Sequence, residues 1–168
     1  MAIEKILVPL DGSDLAEAAL ETAIEILHAQ PATTLVLLRA AESPRSAGSD
    51  RSGDQARMVR EAESYLNGVA AGLHECGITR VRTVVWYGPA APTIVEAAAV
   101  EKADLIVMTS HGHGGVGRLI FGSVAESVLH GTRIPILLIR DATSPLLPLL
   151  GSTEVRAVRD SSIPVSRA

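Results

Sequence analysis

The chain contains very few cysteines and aromatic residues. Cys76 is the only cysteine among 168 residues, which excludes an internal disulfide and a zinc site built from several cysteines. Phe, Trp and Tyr together make up 2% of the sequence, although 47% of the residues are hydrophobic. Because alanine and aliphatic side chains must then fill the core, the composition favours helices packed closely on a sheet over an all-β sandwich.

Long hydrophobic runs and an excess of positive charge are also missing. The longest apolar runs, such as residues 134–139, are far shorter than the ~18 residues that a membrane span needs. The N-terminal residues are typical of a strand rather than a signal peptide, and a formal net charge of -4 gives no overall field for nucleic acid. We therefore expect one cytoplasmic domain that binds neither nucleic acid nor a membrane.

Strand-like and helix-like patterns alternate along the chain. Short apolar runs rich in β-branched residues predict strands at 3–10, 33–39, 81–87, 105–109 and 134–140. Apolar residues at helical spacing predict helices at 14–27, 59–76, 92–102 and 122–130. This βαβαβαβαβ order predicts a three-layer, Rossmann-like α/β fold, in which an open parallel five-stranded sheet carries helices on both faces.

Single residues predict where some of these elements begin, end or face. Asp14 is predicted to open a capping box at the first helix, Gly77 to end the second and Pro92 to start the third. Cys76 is predicted on the core face of the second helix. Pro135 donates no hydrogen bond to a neighbouring strand, which favours an edge position for the last strand.

Composition separates the domain from its less regular segments. Residues 1–140 hold the alternating pattern and are predicted to form one domain. Residues 41–53 are polar and contain Gly, Ser and Pro, which predicts a mobile loop. Residues 141–168 hold three prolines and several serines, and we predict a flexible C-terminal tail there.

The loops after the first and fourth predicted strands have the most unusual sequences. In an open parallel sheet, ligands bind at the carboxyl ends of the strands where the strand order reverses, and these two loops would flank that crevice. Gly112 and the Gly122-Ser123 pair can offer backbone N–H groups and a helix N-terminus to a polyphosphate, with Arg118 near the outer phosphates. The alternative is a flexible connection that ends in an ordinary serine cap.

Asp11 ends the first predicted strand. Its carboxylate can accept hydrogen bonds from ribose hydroxyls or help to hold a metal ion on the phosphates. The alternative is a local turn former within the Asp-Gly-Ser sequence of residues 11–13. Its expected position at the crevice favours the functional interpretation.

Other catalytic and metal-binding patterns are weak. Residues 112–117 match G-x-G-x-x-G, but after the fourth strand instead of the first, and the P-loop-like residues 117–123 lack the required lysine. His111 and His113 have a spacing that can ligate a metal ion, but no third ligand is evident. The chain also lacks the G-x-S-x-G sequence of a nucleophile elbow. We therefore predict no catalytic residue and no protein-held metal site.

Five motifs together resemble the universal stress protein family over residues 1–140. They are ILVPLDGS at 6–13, GPA at 88–90, SHG at 110–112, GSVAE at 122–126 and PILLI at 135–139. The resemblance implies a stress-response role, a strand order of 3-2-1-4-5 and homodimerisation through the last strand at 134–140. It also implies ATP binding in one branch of the family.

The ATP-binding branch carries the pattern G-x2-G-x9-G-[ST]. Gly112, nine further residues and Gly122-Ser123 match its later part, whereas Thr109 stands at the position of its first glycine. The resemblance and the loop sequence together predict a nucleotide site formed by Pro9, Leu10, Asp11, Ala40, Met108, Thr109, Gly112, Arg118, Gly122, Ser123 and Val124. The later glycines favour ATP, bound with Mg²⁺ and at most slowly hydrolysed, over a nucleotide-free dimeric adaptor.

Overall fold

Strands and helices alternate along the chain, as predicted. The structure, a computed structural model, describes residues 3–42, 51–110 and 122–140. Its elements are β1 (Lys5–Pro9), α1 (Asp14–Ala29), β2 (Thr34–Ala41), α2 (Arg51–Glu75), β3 (Val81–Tyr87), α3 (Ala90–Glu101), β4 (Leu105–Ser110), α4 (Ser123–Gly131) and β5 (Ile136–Arg140). Within those ranges, no helix combines the length and the apolar character that crossing a membrane requires.

The five strands form one parallel sheet with the order β3-β2-β1-β4-β5. β1 is central, so that Leu7 lies opposite Val36 of β2 on one side and opposite Ile106 of β4 on the other. These three side chains are fully buried, as expected for parallel strands that are covered on both faces. The predicted fold class, the strand order and the edge position of the last strand are confirmed.

Alternate side chains of β2 supply two hydrophobic cores. Leu35 and Leu37 pack with α1 and α2 on one face of the sheet, where Leu66 is also fully buried. Val36 and Leu38 pack with α3 and α4 on the opposite face. Because each fully buried aliphatic side chain contributes roughly 1.5–3 kcal/mol, the two cores hold the helix layers on the sheet.

Helix α1 begins with a cap that differs from the prediction. The Ser13 hydroxyl accepts a hydrogen bond from the Ala16 N–H at 3.1 Å, so Ser13 is the N-cap and Asp14 is the first helical residue. A serine side chain at this position satisfies an amide that has no partner within the helix. The prediction that Asp14 opens a capping box was therefore wrong by one residue.

Helix α3 begins earlier than predicted. Its N-cap is Pro89, and Ala90 is its first residue. Pro92 therefore lies inside the first turn instead of starting the helix. A proline is tolerated there because the first amides of a helix have no intrahelical acceptor.

Helix α2 begins within the predicted loop 41–53, because residues 51–53 are helical. A single glycine such as Gly53 costs only about 1 kcal/mol in a helix, and Asp54 in the first turn complements the helix dipole. β2 also extends through Ala41, the first residue of that predicted loop. The loop prediction was thus wrong at both ends.

The C-terminal end of α2 contains one confirmed prediction and one wrong one. The helix ends at Glu75, and Gly77 follows with a φ of 85°, a conformation that glycine adopts without strain. Cys76 is exposed, although it was predicted on the core face. The helix stops one residue before Cys76, so its apolar face does not include Cys76.

Candidate functional site

The carboxyl ends of β1 and β4 lie side by side at one edge of the sheet. β1 has β2 on one side and β4 on the other, so the chain direction across the sheet reverses at β1 and a crevice opens there. The Leu10 N–H still donates to the Leu38 carbonyl at 2.8 Å. The first loop therefore leaves the sheet only at Asp11.

A pocket occupies this edge of the sheet. Its empty space is about 560 Å³, a volume that includes open solvent at its mouth. Its lining residues are Pro9, Leu10, Asp11, Ala16, Ala40, Ala90, Ile94, Met108, Thr109 and Val124. Most of these side chains are apolar and form the walls, while Asp11 and Thr109 supply polar side chains.

Most of the predicted site residues lie together here. Seven of the eleven line the pocket: Pro9, Leu10, Asp11, Ala40, Met108, Thr109 and Val124. Gly122 is the N-cap of α4 and Ser123 is its first residue, so both directly precede Val124. Gly112 and Arg118 lie outside the described residues. The part that these eleven residues play in binding stays a prediction.

Three lining residues were missed in the sequence. They are Ala16 of α1 and Ala90 and Ile94 of α3. Small and aliphatic side chains carry no chemical pattern that marks a site. The available signal was geometric, because each helix that follows a parallel strand begins at the carboxyl edge of the sheet, where the crevice lies.

Asp11 forms the local turn that was weighed for it, and it also lies at the pocket. Its Oδ1 accepts hydrogen bonds from the Ser13 N–H at 3.0 Å and from the Ser13 hydroxyl at 2.6 Å, which makes it a turn former. It is also exposed and lines the pocket. Its role toward a ligand stays a prediction.

Thr109 places a β-branched side chain at the margin of the pocket. It lies opposite Ile139 of β5, and 5% of its surface is exposed. Its neighbour Met108 projects to the other face of β4 and packs in the core between the sheet and α3 and α4. A ligand in this pocket therefore meets a threonine where the ATP-binding pattern of the family has a glycine.

The start of α4 is suited to an anion. Its N-cap, Gly122, provides no side-chain hydrogen bond to the first turn. The first amides of a helix lack intrahelical acceptors, and the helix dipole adds a partial positive charge there. A phosphate group next to Val124 could therefore accept hydrogen bonds from these backbone N–H groups.

A cationic side chain lies close to the turn after β1. The guanidinium carbon of Arg39 is 4.7 Å from the centroid of the Tyr65 ring, and a Cβ atom added at Gly12 would lie 2.8 Å from Arg39 Nη1. The Tyr65 hydroxyl donates to Glu17 Oε1 at 2.7 Å. Burial, followed by this hydrogen bond and the charge of Glu17, raises the pKa of Tyr65, so the phenol stays protonated and keeps its donor.

Comparison with known proteins identifies the family. The sequence profile of the universal stress protein family matches residues 2–140. The chain belongs to the universal stress protein family. This universal stress protein is 33% identical over 141 residues to MJ0531 of Methanocaldococcus jannaschii, covering 82% of each chain. It is 33% identical over 135 residues to a universal stress protein of Thermus aquaticus, covering 80% of this chain and 97% of the relative.

Solved structures show the same fold. MJ0577 superposes with a TM-score of 0.72 at 26% identity, covering 86% of this universal stress protein and all of that chain (100%). UspA of Lactobacillus plantarum gives 0.70 at 23% identity, with coverages of 83% and 99%. A universal stress protein in complex with cAMP gives 0.58 at 23% identity, with coverages of 83% and 98%. The family resemblance read from the motifs, with its stress-response role, is confirmed.

Proposed function

We propose that this universal stress protein binds ATP, together with Mg²⁺, in the pocket at the carboxyl ends of β1, β2 and β4. The observation that carries the proposal is the convergence of Asp11, Ala40, Met108 and Val124 around one space, although they are distant in sequence. Open parallel sheets bind nucleotides at this switch point.

The chemistry of the lining suits the separate parts of a nucleotide. Ala40, Ile94 and Met108 offer apolar surface to a flat base. Asp11 at the rim can accept hydrogen bonds from ribose hydroxyls. The N-terminus of α4, at Gly122, can donate backbone hydrogen bonds to phosphate oxygens.

The proposed Mg²⁺ would depend mainly on the phosphates. Asp11 is the only carboxylate in the lining formed by the described residues. Mg²⁺ commonly keeps several water ligands and binds through one or two carboxylates plus substrate phosphates. When bound, Mg²⁺ would neutralise part of the phosphate charge. From the sequence we also assign Gly112 and Arg118 to the phosphates.

A related structure supports the class of ligand. The universal stress protein solved in complex with cAMP shares this fold with a TM-score of 0.58. An adenine nucleotide is thus a ligand that a protein of this fold accommodates. The choice of a triphosphate for this chain comes from the sequence, because Gly112 and the Gly122-Ser123 pair match the later part of the ATP-binding pattern of the family.

We expect regulation rather than rapid catalysis. Phosphoryl transfer needs a base or a group that positions water, and cations on the leaving phosphate. The one carboxylate of the described lining, Asp11, already accepts two hydrogen bonds from Ser13, and that lining contains no lysine. ATP hydrolysis should therefore be slow, and bound nucleotide would act by changing the surfaces available to partners.

Two substitutions at Gly122 test the proposal. Gly122 has φ -60° and ψ 154°, so Asp and Asn both fit its backbone and both are favoured N-cap residues. Gly122→Asp adds a negative charge where we place the phosphates, whereas Gly122→Asn is its neutral control. By titration calorimetry with Mg²⁺, ATP should bind the Asp variant at least ~10-fold more weakly than the Asn variant.

The controls separate the possible outcomes. Adenosine, which has no phosphate, should bind both Gly122 variants equally, and both should unfold at or slightly above the wild-type temperature. Equal ATP affinities of the two variants would exclude phosphates from the start of α4. The absence of any binding heat or thermal shift for the wild-type protein at millimolar ATP would overturn the proposal as a whole.

The alternative function is a nucleotide-free dimeric adaptor. Its supporting observation is that β5 lies at the edge of the sheet and that Leu137 on it is 36% exposed. An edge strand presents unpaired backbone groups that a second copy can pair with. We propose a homodimer through residues 134–140 for either function, and purified protein that releases ATP on denaturation would refute the nucleotide-free version.

A further inference from the structure

Contacts around Gly12 form a closed ring, which we call the Gly12 ring. From Gly12 it runs to Ser13, whose hydroxyl caps α1. Glu17 of α1 accepts the hydrogen bond of Tyr65 from α2, and the Tyr65 ring lies against the guanidinium of Arg39 from β2. Arg39 closes the ring, because its Nη1 would be 2.8 Å from a Cβ at Gly12. The ring joins the turn after β1 to β2, α1 and α2.

Arg39 is held on two sides within this ring. The face of an aromatic ring attracts a planar guanidinium, which loses that contact if it rotates away. On its other side is the backbone of Gly12, which leaves room for Arg39 because it has no Cβ. Gly12 also has a φ of 85°, so the turn depends on glycine for both conformation and space.

We propose that Arg39 is a positioning residue for Asp11, an inference that rests on the proposed nucleotide function. Arg39 is not among the described residues that line the pocket, so it acts through the turn. By packing against Gly12 it fixes the backbone between Asp11 and Ser13. This fixes the direction in which the Asp11 carboxylate meets the ribose hydroxyls.

A ligand pair that differs only at the ribose tests the inference. We would measure the affinities for ATP and for 2′,3′-dideoxy-ATP, which lacks both hydroxyls. Wild-type protein should prefer ATP by about 10-fold or more, the typical effect of hydrogen bonds to a charged group. Asp11→Asn should reduce this preference, Arg39→Met should reduce it comparably, and the double variant should show no further loss.

The matched control is Arg82→Met. Arg82 is also a strand arginine, and its guanidinium pairs with Glu101 at 3.3 Å, outside the lining of the pocket. This variant removes the same kind of side chain and an ion pair, and it should leave the preference for ATP unchanged. Tyr65→Leu, which removes the ring against Arg39, should reproduce the effect of Arg39→Met.

Two results would overturn the inference. One is an Arg39→Met protein that folds and keeps the wild-type preference for ATP over the dideoxy analogue. The other comes from hydrogen exchange, which needs no nucleotide. If Arg39 positions the turn, the Ser13 amide that donates to Asp11 should exchange with solvent about 10-fold faster in Arg39→Met and at the wild-type rate in Arg82→Met. Unchanged Ser13 exchange in Arg39→Met refutes positioning by Arg39, whereas faster exchange without any ATP binding supports it and refutes only the nucleotide proposal.

Discussion

Gly12 and Gly77 share a positive φ angle but have different surroundings. Gly12 and Gly77 both have a φ of 85°. A Cβ at Gly12 would lie 2.8 Å from Arg39 Nη1, whereas a Cβ at Gly77 would meet nothing within 4 Å. Gly77→Ala therefore measures the cost of positive φ alone, and Gly12→Ala measures that cost together with displacement of Arg39.

The difference between the two alanine variants can be worked out from the structure. Positive φ costs a non-glycine residue roughly 1–2 kcal/mol, and this strain and the effect of alanine on the unfolded chain are common to both variants. At Gly12 the guanidinium must also shift, which weakens its contact with the Tyr65 ring. Such cation–π contacts are worth about 0.5–1 kcal/mol when exposed and about 2 kcal/mol when desolvated, and Arg39 and Tyr65 are half-buried, so a partial loss costs about 0.5–1 kcal/mol. Gly12→Ala should therefore be less stable than Gly77→Ala by about 0.5–1 kcal/mol, or about 1–4 °C in melting temperature.

Urea unfolding of both variants, in the wild-type and Arg39→Ala backgrounds, is the assay. Once Arg39 is shortened, the two glycine substitutions should destabilise the protein equally. Equal destabilisation in the wild-type background would refute the reasoning, because it would mean that the guanidinium moves away from Gly12 without loss. A difference that persists in Arg39→Ala would assign the extra loss to another neighbour of Gly12.

Two further predictions concern Tyr65 and β5. The raised pKa of Tyr65 lies above its unfolded value of about 10, so its contribution to stability is complete below about pH 10 and declines as the pH rises further. The stability difference between wild type and Tyr65→Phe in urea should therefore shrink between pH 9 and pH 11, and a constant difference would contradict the assignment. Leu137→Arg places a charge on the edge strand and should lower the mass measured by light scattering from that of a dimer to that of a monomer. The control is Val100→Arg, since Val100 lies on α3 and is 60% exposed; this variant should keep the mass of the dimer. A dimer that survives Leu137→Arg would exclude the β5 interface.

The sequence alone determined the architecture, because its signals are local. The apolar run that contains Leu7 and the helical spacing from Asp14 onward are read over single segments, and their alternation leaves few topologies for a parallel sheet. The same rule gave the edge at which Asp11 and Met108 meet, since Asp11 follows β1 and Met108 lies near the carboxyl end of β4. The exact ends of the helices were less well predicted. The N-cap of α1 is Ser13 and not the neighbouring Asp14, and α2 ends one residue before Cys76. Neighbouring residues can serve almost equally well as the end of a helix, so the local pattern leaves its limits open by one or two residues.

Only the tertiary structure decided which other side chains reach the pocket and its turn. Ala90 and Ile94 line the pocket because α3 packs across the sheet at one particular position, and nothing in an alanine or an isoleucine signals that. The contact of Arg39 with Gly12 and Tyr65 likewise needs the pairing of β1 with β2 and the position of α2 on the sheet. Such contacts depend on how distant segments dock, a quantity set by the packing of the whole core and absent from any local pattern.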